Sequence, residues 1–339
     1  MDLPSYLEAL RGEFSLSTDA LHRIAADFGK EMREGLLGRA SSLRMLPSFI
    51  GVPTGREKGS AMAIDFGGTN VRVLEAELDG FGNVVVQQMK RFPLVDPKGR
   101  YNYVCAEARA EELFGFIAER LGELAKPGQA YPLGHTFSFP CEQRGLNRAS
   151  LIHWTKEFRT QGVEGQDIGA LLDAALQAKG LTRIRGKAII NDTVGTLLAA
   201  AYGRHHVDVA SICGTGHNTC YLQPAHPLTG EPMIVNMESG NFTLVPQSRF
   251  DVALDAASER PGSQRLEKMC SGHYLGEVVR LVLADLVAEG LLPASERLAA
   301  RQVLGGEHLS LILDDEEPLL ADVAAVAEAR LGWTGLTHD

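Results

Sequence analysis

Two glycine turns, Gly67-Gly68-Thr69-Asn70 and Gly214-Thr215-Gly216-His217-Asn218, each sit between two strand-like apolar runs. A turn of this kind lets the backbone come close to a ligand, and its N–H groups can cradle phosphate oxygens. The two lie too far apart for a solenoid repeat, at a spacing suited to a duplicated domain. Facing each other, they would grip a nucleotide from both sides of a cleft. Taken singly, each is also what an ordinary hairpin turn looks like.

Several side chains near these turns can do chemistry. Asn191-Asp192 follows the apolar run KAII and precedes a helical stretch. Ligands of open α/β sheets gather at the carboxyl ends of strands, where a helix N-terminus also favours anions. Asp192 could there accept a proton from a substrate hydroxyl, or simply cap the helix. Asp65 ends the run AMAID just before the first turn, placed to hold Mg²⁺ directly or through water, or to act as an Asx-type turn residue. Thr155 and Lys156 follow a short apolar run. The lysine could stabilise a phosphoryl oxygen or be a solvated surface charge. Glu238 follows a strand, and Glu267 opens a helix starting near Ser263. First-turn acids suit the helix dipole without any function, yet carboxylates that accept from two neighbouring hydroxyls also read a sugar.

The elements that must position these groups follow from periodicity and turn signals. Residues 4–38 read as helices, and residues 61–95 as consecutive antiparallel strands turned at Asp79-Gly80 and Gly82-Asn83. A helix is expected over 107–126, a strand over 131–140, a helix over 166–180, a strand over 186–191 and then another helix. A second hairpin begins near 207, IVNME (234–238) reads as a strand, and a mainly helical tail starts near 263. The order implies a mixed α/β sheet built twice, with the halves meeting at a hinge near Asn191.

The chain has 339 residues, 45% hydrophobic and 22% charged, as in a globular protein of two domains. A net charge of −10 with no Lys/Arg run argues against a nucleic-acid surface, though not against a nucleotide held by local groups. The N-terminal MDLPSYLEALRGEF lacks the apolar run of a signal peptide, and no window is long and apolar enough for a membrane span. Five cysteines without a CxxC pair suggest reduced thiols and a cytoplasmic location. The ten histidines show no HExxH spacing or other zinc signature.

Taken together, these residues resemble the hexokinase family of sugar kinases. The similarity covers Met45-Leu46-Pro47, IDFGGTNVRV, TFSFPCEQRGLNRASLIHWTKEF (136–158), INDTVGT (190–196), CGTGHNTCY (213–221), VNMESGNF (235–242) and LEKMCSGHYLGEVVR (266–280). Segment 136–158 looks like the family's sugar-binding signature. The resemblance implies two actin-like ATPase (ribonuclease H-like) domains that close on a hexose. It divides the chain into N-terminal helices over 1–51, a small domain over 52–191 and a large domain over 192–339. It implies that Asp192 is the general base for the sugar 6-hydroxyl as it attacks the γ-phosphate of Mg-ATP, with Lys156 as a second catalytic residue. Ser138, Thr155, Lys156, Asn191, Asp192, Asn218, Glu238 and Glu267 match the hexose-binding positions. Asp65, Gly67, Gly68, Thr69, Asn70 and Arg72 match the first phosphate loop, and Gly214, Thr215 and Gly216 the second. The implied cofactors are ATP and Mg²⁺, and glucose is the first candidate sugar.

Three departures stand out. The family usually has Glu-Trp-Gly-Ala-Phe where this chain has Glu238-Ser239-Gly240-Asn241-Phe242, and a glycine where it has Glu157. The family's glycine-rich adenosine turn has no counterpart after residue 280, so the expectation is a large domain truncated at its C-terminus. That expectation keeps a second class of function open, a catalytically weak sugar-binding or sensing protein. A chaperone or cytoskeletal relative gives segment 136–158 no role. The subunit count is not legible.

Overall fold

The computed structural model describes residues 2–154, 158–203 and 207–335. Contacts divide the chain into two compact units. The first comprises residues 1–45, 211–218 and 237–339, and the second residues 46–210 and 219–236. This is a different partition from the one expected at 191/192, because residues 192–210 and 219–236 fold with the second unit.

The first unit opens with helices α1 (Leu3–Phe14) and α2 (Thr18–Leu36). Each begins on a capping side chain. Asp2 accepts from the Ser5 N–H and Ser17 from the Ala20 N–H, satisfying donors that a helix start otherwise orphans.

The second unit is built on a five-stranded sheet. Its members are β2 (Lys58–Phe66), β3 (Asn70–Asp79), β4 (Val84–Pro93), β5 (Tyr131–Phe137) and β8 (Ile184–Ile190), after the short β1 (Leu46–Pro47). The spatial order is β4-β3-β2-β5-β8. Strands β2, β3 and β4 form the antiparallel run expected from sequence, whereas β2 to β5 and β5 to β8 are parallel. Parallel neighbours need crossovers. Helix α3 (Ala110–Gly122) lies between β4 and β5, while the hairpin β6 (Cys141–Gly145) and β7 (Arg148–Leu151), with helix α4 (Ile168–Ala178), lies between β5 and β8.

Alternation decides which face is buried. Met62, Ile64 and Phe66 of β2 and Tyr131, Leu133, His135 and Phe137 of β5 are all buried. On α3, Leu113, Phe114, Ile117 and Leu121 recur at helical spacing and join the same core. Helix α5 (Asp192–Ala201) contributes Val194 and Leu197 to a smaller core with Cys220 and Ile234. The latter two come from β10 (His217–Gln223) and β11 (Met233–Asn236), members of a second sheet in the order β1-β11-β10-β9, where β9 is Val209–Cys213.

The helical tail expected from about 263 is present, and from residue 249 onward the first unit is mainly helical. It holds α6 (Arg249–Ala257), α7 (Arg265–Cys270), α8 (Gly272–Ala288), α9 (Gly306–Asp314) and α10 (Ala321–Val326). Phe250, Leu254 and Val278 form one core against Leu10, and Leu298, Leu304, Val326, Leu331 and Trp333 another. Gly276 in α8 lets the Leu304 carbonyl approach so closely that a Cβ there would lie 2.2 Å from it. Among the described residues, no helix is long and apolar enough to cross a membrane.

His135 is an exception in the second unit's core. It is 2% exposed, lies edge-on to Phe66 and Phe137, and neither ring nitrogen meets a partner among the described residues. Burial pushes its pKa down to about 3, so the folded protein keeps it neutral. The unfolded chain binds this proton near pH 6.5 and the folded one does not, so stability falls as pH drops from 6.5 toward 3. We expect His135→Leu to remove one proton from that dependence, about 1.4 kcal/mol per pH unit below pH 6. Urea unfolding of both proteins at a series of pH values measures it, and parallel curves would refute the assignment.

Candidate functional site

In the second unit, the parallel register brings the carboxyl ends of three strands to one edge. Asp65 of β2 pairs with Thr136 of β5, and Thr136 pairs with Ile190 of β8. The residues that emerge next are Ser138 and Asn191-Asp192. The Ser138 N–H donates to the Phe66 carbonyl at 3.2 Å, carrying the pairing one step past β5.

The first glycine turn closes β2 onto β3. The Gly67 N–H donates to the Asn70 carbonyl at 3.1 Å, Asn70 Nδ2 donates to Thr69 Oγ1 at 2.7 Å, and the Leu94 N–H ties down the Thr69 carbonyl at 3.0 Å. Asp65 and Arg72 are direct cross-strand partners. Arg72 Nη1 reaches Asp65 Oδ2 at 2.6 Å, with both side chains more than a third exposed. An ion pair this accessible adds at most about 1 kcal/mol. Its effect is to orient the Asp65 carboxylate, which is engaged by this guanidinium across the strands.

The helix start at 191 separates the two readings of Asp192. Asn191 is the cap, with Oδ1 accepting from the Thr193 N–H at 2.9 Å and from Thr193 Oγ1 at 2.6 Å. Asp192 is the first helical residue, and its Oδ1 accepts from the same Thr193 N–H at 2.9 Å. Gln143 braces this corner, a residue that sequence reasoning missed. Its Nε2 donates to the carbonyls of Ile189 at 2.8 Å and Ser48 at 3.1 Å. Thr155 and Lys156 lie outside the described residues. On either side of them, Trp154 and Phe158 are buried and stacked with ring centroids 4.9 Å apart.

In the first unit, the second glycine turn is held by a helix start. The N–H groups of Gly272 and His273, at the beginning of α8, donate to the carbonyls of Gly214 and Thr215 at 2.7 and 3.2 Å. The Gly214 N–H donates to the Gly216 carbonyl at 2.9 Å. Glu267 sits on this turn, with Oε2 accepting from the His217 N–H at 2.8 Å. Asn218 Oδ1 accepts from the Ser239 N–H at 3.2 Å. Asn218, Glu238 and Glu267 are thereby linked through adjoining backbone.

Neither Gly214 nor Gly216 has a positive φ, so conformational freedom is not why glycine stands there. At Gly216 a Cβ would lie 2.8 Å from Glu267 Oε2, so a larger residue there would have to shift that carboxylate. Gly240 is as crowded, its added Cβ falling 2.8 Å from the His217 carbonyl and 3.0 Å from Glu267 Cβ. Glu238 is left-handed at φ 52°, an uncommon conformation for a residue with a side chain. Such strain clusters at functional positions because the surroundings must over-determine it.

Two family models described as hexokinase match the chain, over residues 6–202 and 208–339. The chain is 37% identical to human Hexokinase-3, a match covering 95% of this chain and 36% of that protein. It is 38% identical to Hexokinase-1 of Schizosaccharomyces pombe, covering 86% of this chain and 62% of that one. It thus spans between about a third and just under two thirds of the length of these relatives. Against Hexokinase-1 of Oryza sativa the identity is 39%, covering 94% of this chain and 68% of the relative. Among solved structures, the hexokinase from Schistosoma mansoni complexed with glucose superposes with a TM-score of 0.81 at 33% identity, covering 96% of this chain and 77% of that one. A second hexokinase crystal structure gives 0.82 at 34% identity, covering 97% and 78%. The chain belongs to the hexokinase family, and its mixed α/β fold is that family's pair of actin-like ATPase domains.

The crowding at Gly240 makes a measurable claim. Gly240→Ala should destabilise the protein by about 1–3 kcal/mol, the usual cost of an added methyl in a packed site. Gly115→Ala, in α3 with nothing within 4 Å, should instead stabilise by about 0.5–1 kcal/mol through helix propensity. Urea midpoints of the two variants decide it. Equal shifts would show that the space around Gly240 is not the constraint.

Proposed function

We propose that this member of the hexokinase family transfers the γ-phosphoryl group of Mg-ATP to the 6-hydroxyl of a hexose, with glucose the first candidate. The reading rests above all on one arrangement. Asp192 stands at the carboxyl end of the parallel strand β8, on the first turn of a helix whose cap is supplied by Asn191. The cap position therefore belongs to Asn191, with the Asp192 carboxylate sharing only the Thr193 N–H. A carboxylate there suits the general base that takes the proton from the sugar hydroxyl as its oxygen attacks phosphorus. Such a base contributes about 10²–10⁴-fold.

The remaining catalysis of phosphoryl transfer is positioning and charge stabilisation. Lys156 is assigned to the developing charge on the transferred phosphoryl group. Ser138, Thr155, Lys156, Asn191, Asn218, Glu238 and Glu267 are assigned to the sugar hydroxyls. Carboxylates suit that task, because a sugar lacking the matching hydroxyl leaves them buried and unpaired. Asp65, Gly67, Gly68, Thr69, Asn70 and Arg72 are assigned to the first phosphate loop, where Asp65 would hold Mg²⁺ directly or through water. Gly214, Thr215 and Gly216 are assigned to the second loop. Its Gly214 and Thr215 carbonyls are occupied by the start of α8, which suits a turn that offers amides to an anion.

Asp192→Ala should lower kcat for glucose phosphorylation by 10²–10⁴-fold, as expected for a lost general base. Glucose binding, followed by calorimetry, should stay within a few-fold of the parent. Near-normal turnover in that variant would sink the assignment. Glucose binding by the parent chain without ATP-dependent turnover would mark it instead as a sugar-binding member of the family.

A further inference from the structure

Cys213, His217 and Cys270 form a cluster that the proposed phosphotransfer does not use. Cys213 is the last residue of β9 and His217 the first of β10, so they flank the turn 214–216 on both sides. Cys270 ends α7, one helical turn beyond Glu267. All three belong to the first unit. One donor atom from each lies within 4.8 Å of the other two. The Cys213 thiol points at Cys270 and donates to its carbonyl at 3.5 Å. His217 Nε2 lies 3.3 Å from Ser239 Oγ, while Nδ1 is buried without a hydrogen-bond partner among the described residues.

The geometry points to a binding site for a soft divalent cation, zinc above all, with Cys213, Cys270 and His217 as its three protein ligands. Two thiolates and an imidazole are the donor set that zinc selects, while Mg²⁺ and Ca²⁺ take oxygen ligands. Zinc holds sulfur at about 2.3 Å and nitrogen at about 2.0 Å in a tetrahedron. Ligand atoms around one ion therefore sit roughly 3.5–3.8 Å apart, within a side-chain adjustment of about 1 Å from the present positions. The Ser239 hydroxyl beside Nε2 supplies the outer hydrogen bond that usually fixes a ligating imidazole through its other nitrogen. Each thiol that ligates gives its proton to solvent, and the fourth position is left to water. The ion would then bridge both ends of the glycine turn to the helix that carries Glu267, clamping the turn. That consequence stands whether or not the turn binds phosphate.

Sequence spacing concealed the site. The first two ligands fit Cys-x₃-His, but the third lies far along the chain on another element, so no short zinc pattern forms.

Cobalt(II) reports on such a site directly, because thiolate ligation produces a sulfur-to-cobalt charge-transfer band that zinc abolishes by displacement. The reduced full chain should bind one Co²⁺ with that band, and zinc should slow hydrogen exchange of the amides at 214–217. Cys213→Ser and Cys270→Ser should each weaken Zn²⁺ binding by at least about 100-fold, since losing even an outer-shell partner costs 10–100-fold. Cys105→Ser, remote in sequence and in the other unit, should leave the band intact. No charge-transfer band in the parent chain, or an undiminished band in Cys213→Ser, would overturn the proposal. Cys213 is exposed, so that variant stays informative even if the half-buried Cys270→Ser folds poorly.

Discussion

The parallel pairing of β2 with β5 and of β5 with β8 is the constraint on which the second unit depends. It sets Asp65, Thr136 and Ile190 in one row, so that whatever follows each strand must emerge at the same edge. Register is enforced from below by the buried face. Slipping β5 by one residue would turn Leu133, His135 and Phe137 to the other face and away from the α3 core. The hydrophobic pattern thus fixes the placement of the polar groups that follow each strand. The charge on Glu75 is held within the same frame. It is 1% exposed and accepts from Lys126 Nζ at 2.8 Å, Gln88 Nε2 at 2.9 Å and Tyr131 Oη at 3.0 Å. The Lys126 hydrogen bond leads in keeping its carboxyl below the usual carboxylate range, against the opposing effect of burial.

The first unit solves its positioning problem with close backbone approach in place of a strand register. Gly240, Gly272 and Gly276 each stand where a methyl group would meet a backbone carbonyl oxygen at 3.1 Å or less. Through them the start of α8 reaches the turn 214–216, and the Glu267 carboxylate reaches the His217 amide. Packing interiors yield little to added volume, so these contacts fix one arrangement.

How much of this was legible in the sequence follows from the range of each signal. Helices α3 and α4 and the strands β2 to β4 declare themselves through periodicity and turn residues, because those signals are local. The hairpin of β6 and β7 escaped, since Gly145-Leu146-Asn147 is short and the strands around it do not alternate cleanly. The two glycine turns were visible, yet the approach of Gly216 to Glu267 was not, because Glu267 lies on a helix distant in sequence. Of Asn191 and Asp192, both good capping residues, local sequence favours reading Asp192 as a helix cap. Only the geometry, with Asn191 Oδ1 on the Thr193 amide and hydroxyl, gives the cap to the first of them. Thr155 and Lys156 were legible only through the family's pattern. The structure adds the aromatic pair beside them, Trp154 and Phe158.

The departure from the family's usual residues after Glu238 acquires a physical meaning in this setting. Ser239 is 1% exposed, its N–H donates to Asn218 and its hydroxyl lies against His217. Asn241 sends Nδ2 back to the Glu238 carbonyl at 3.3 Å, alongside its own N–H at 3.0 Å. Ser239 therefore ties the loop to β10, while Asn241 bonds back to the residue held left-handed, Glu238. A tryptophan at 239 would have to find room at a buried position that is now hydrogen-bonded to two neighbours. The Ser239 hydroxyl lies against His217, whose ring stands beside the Cys213 and Cys270 thiols, so the change at 239 bears on the chemistry around the second turn.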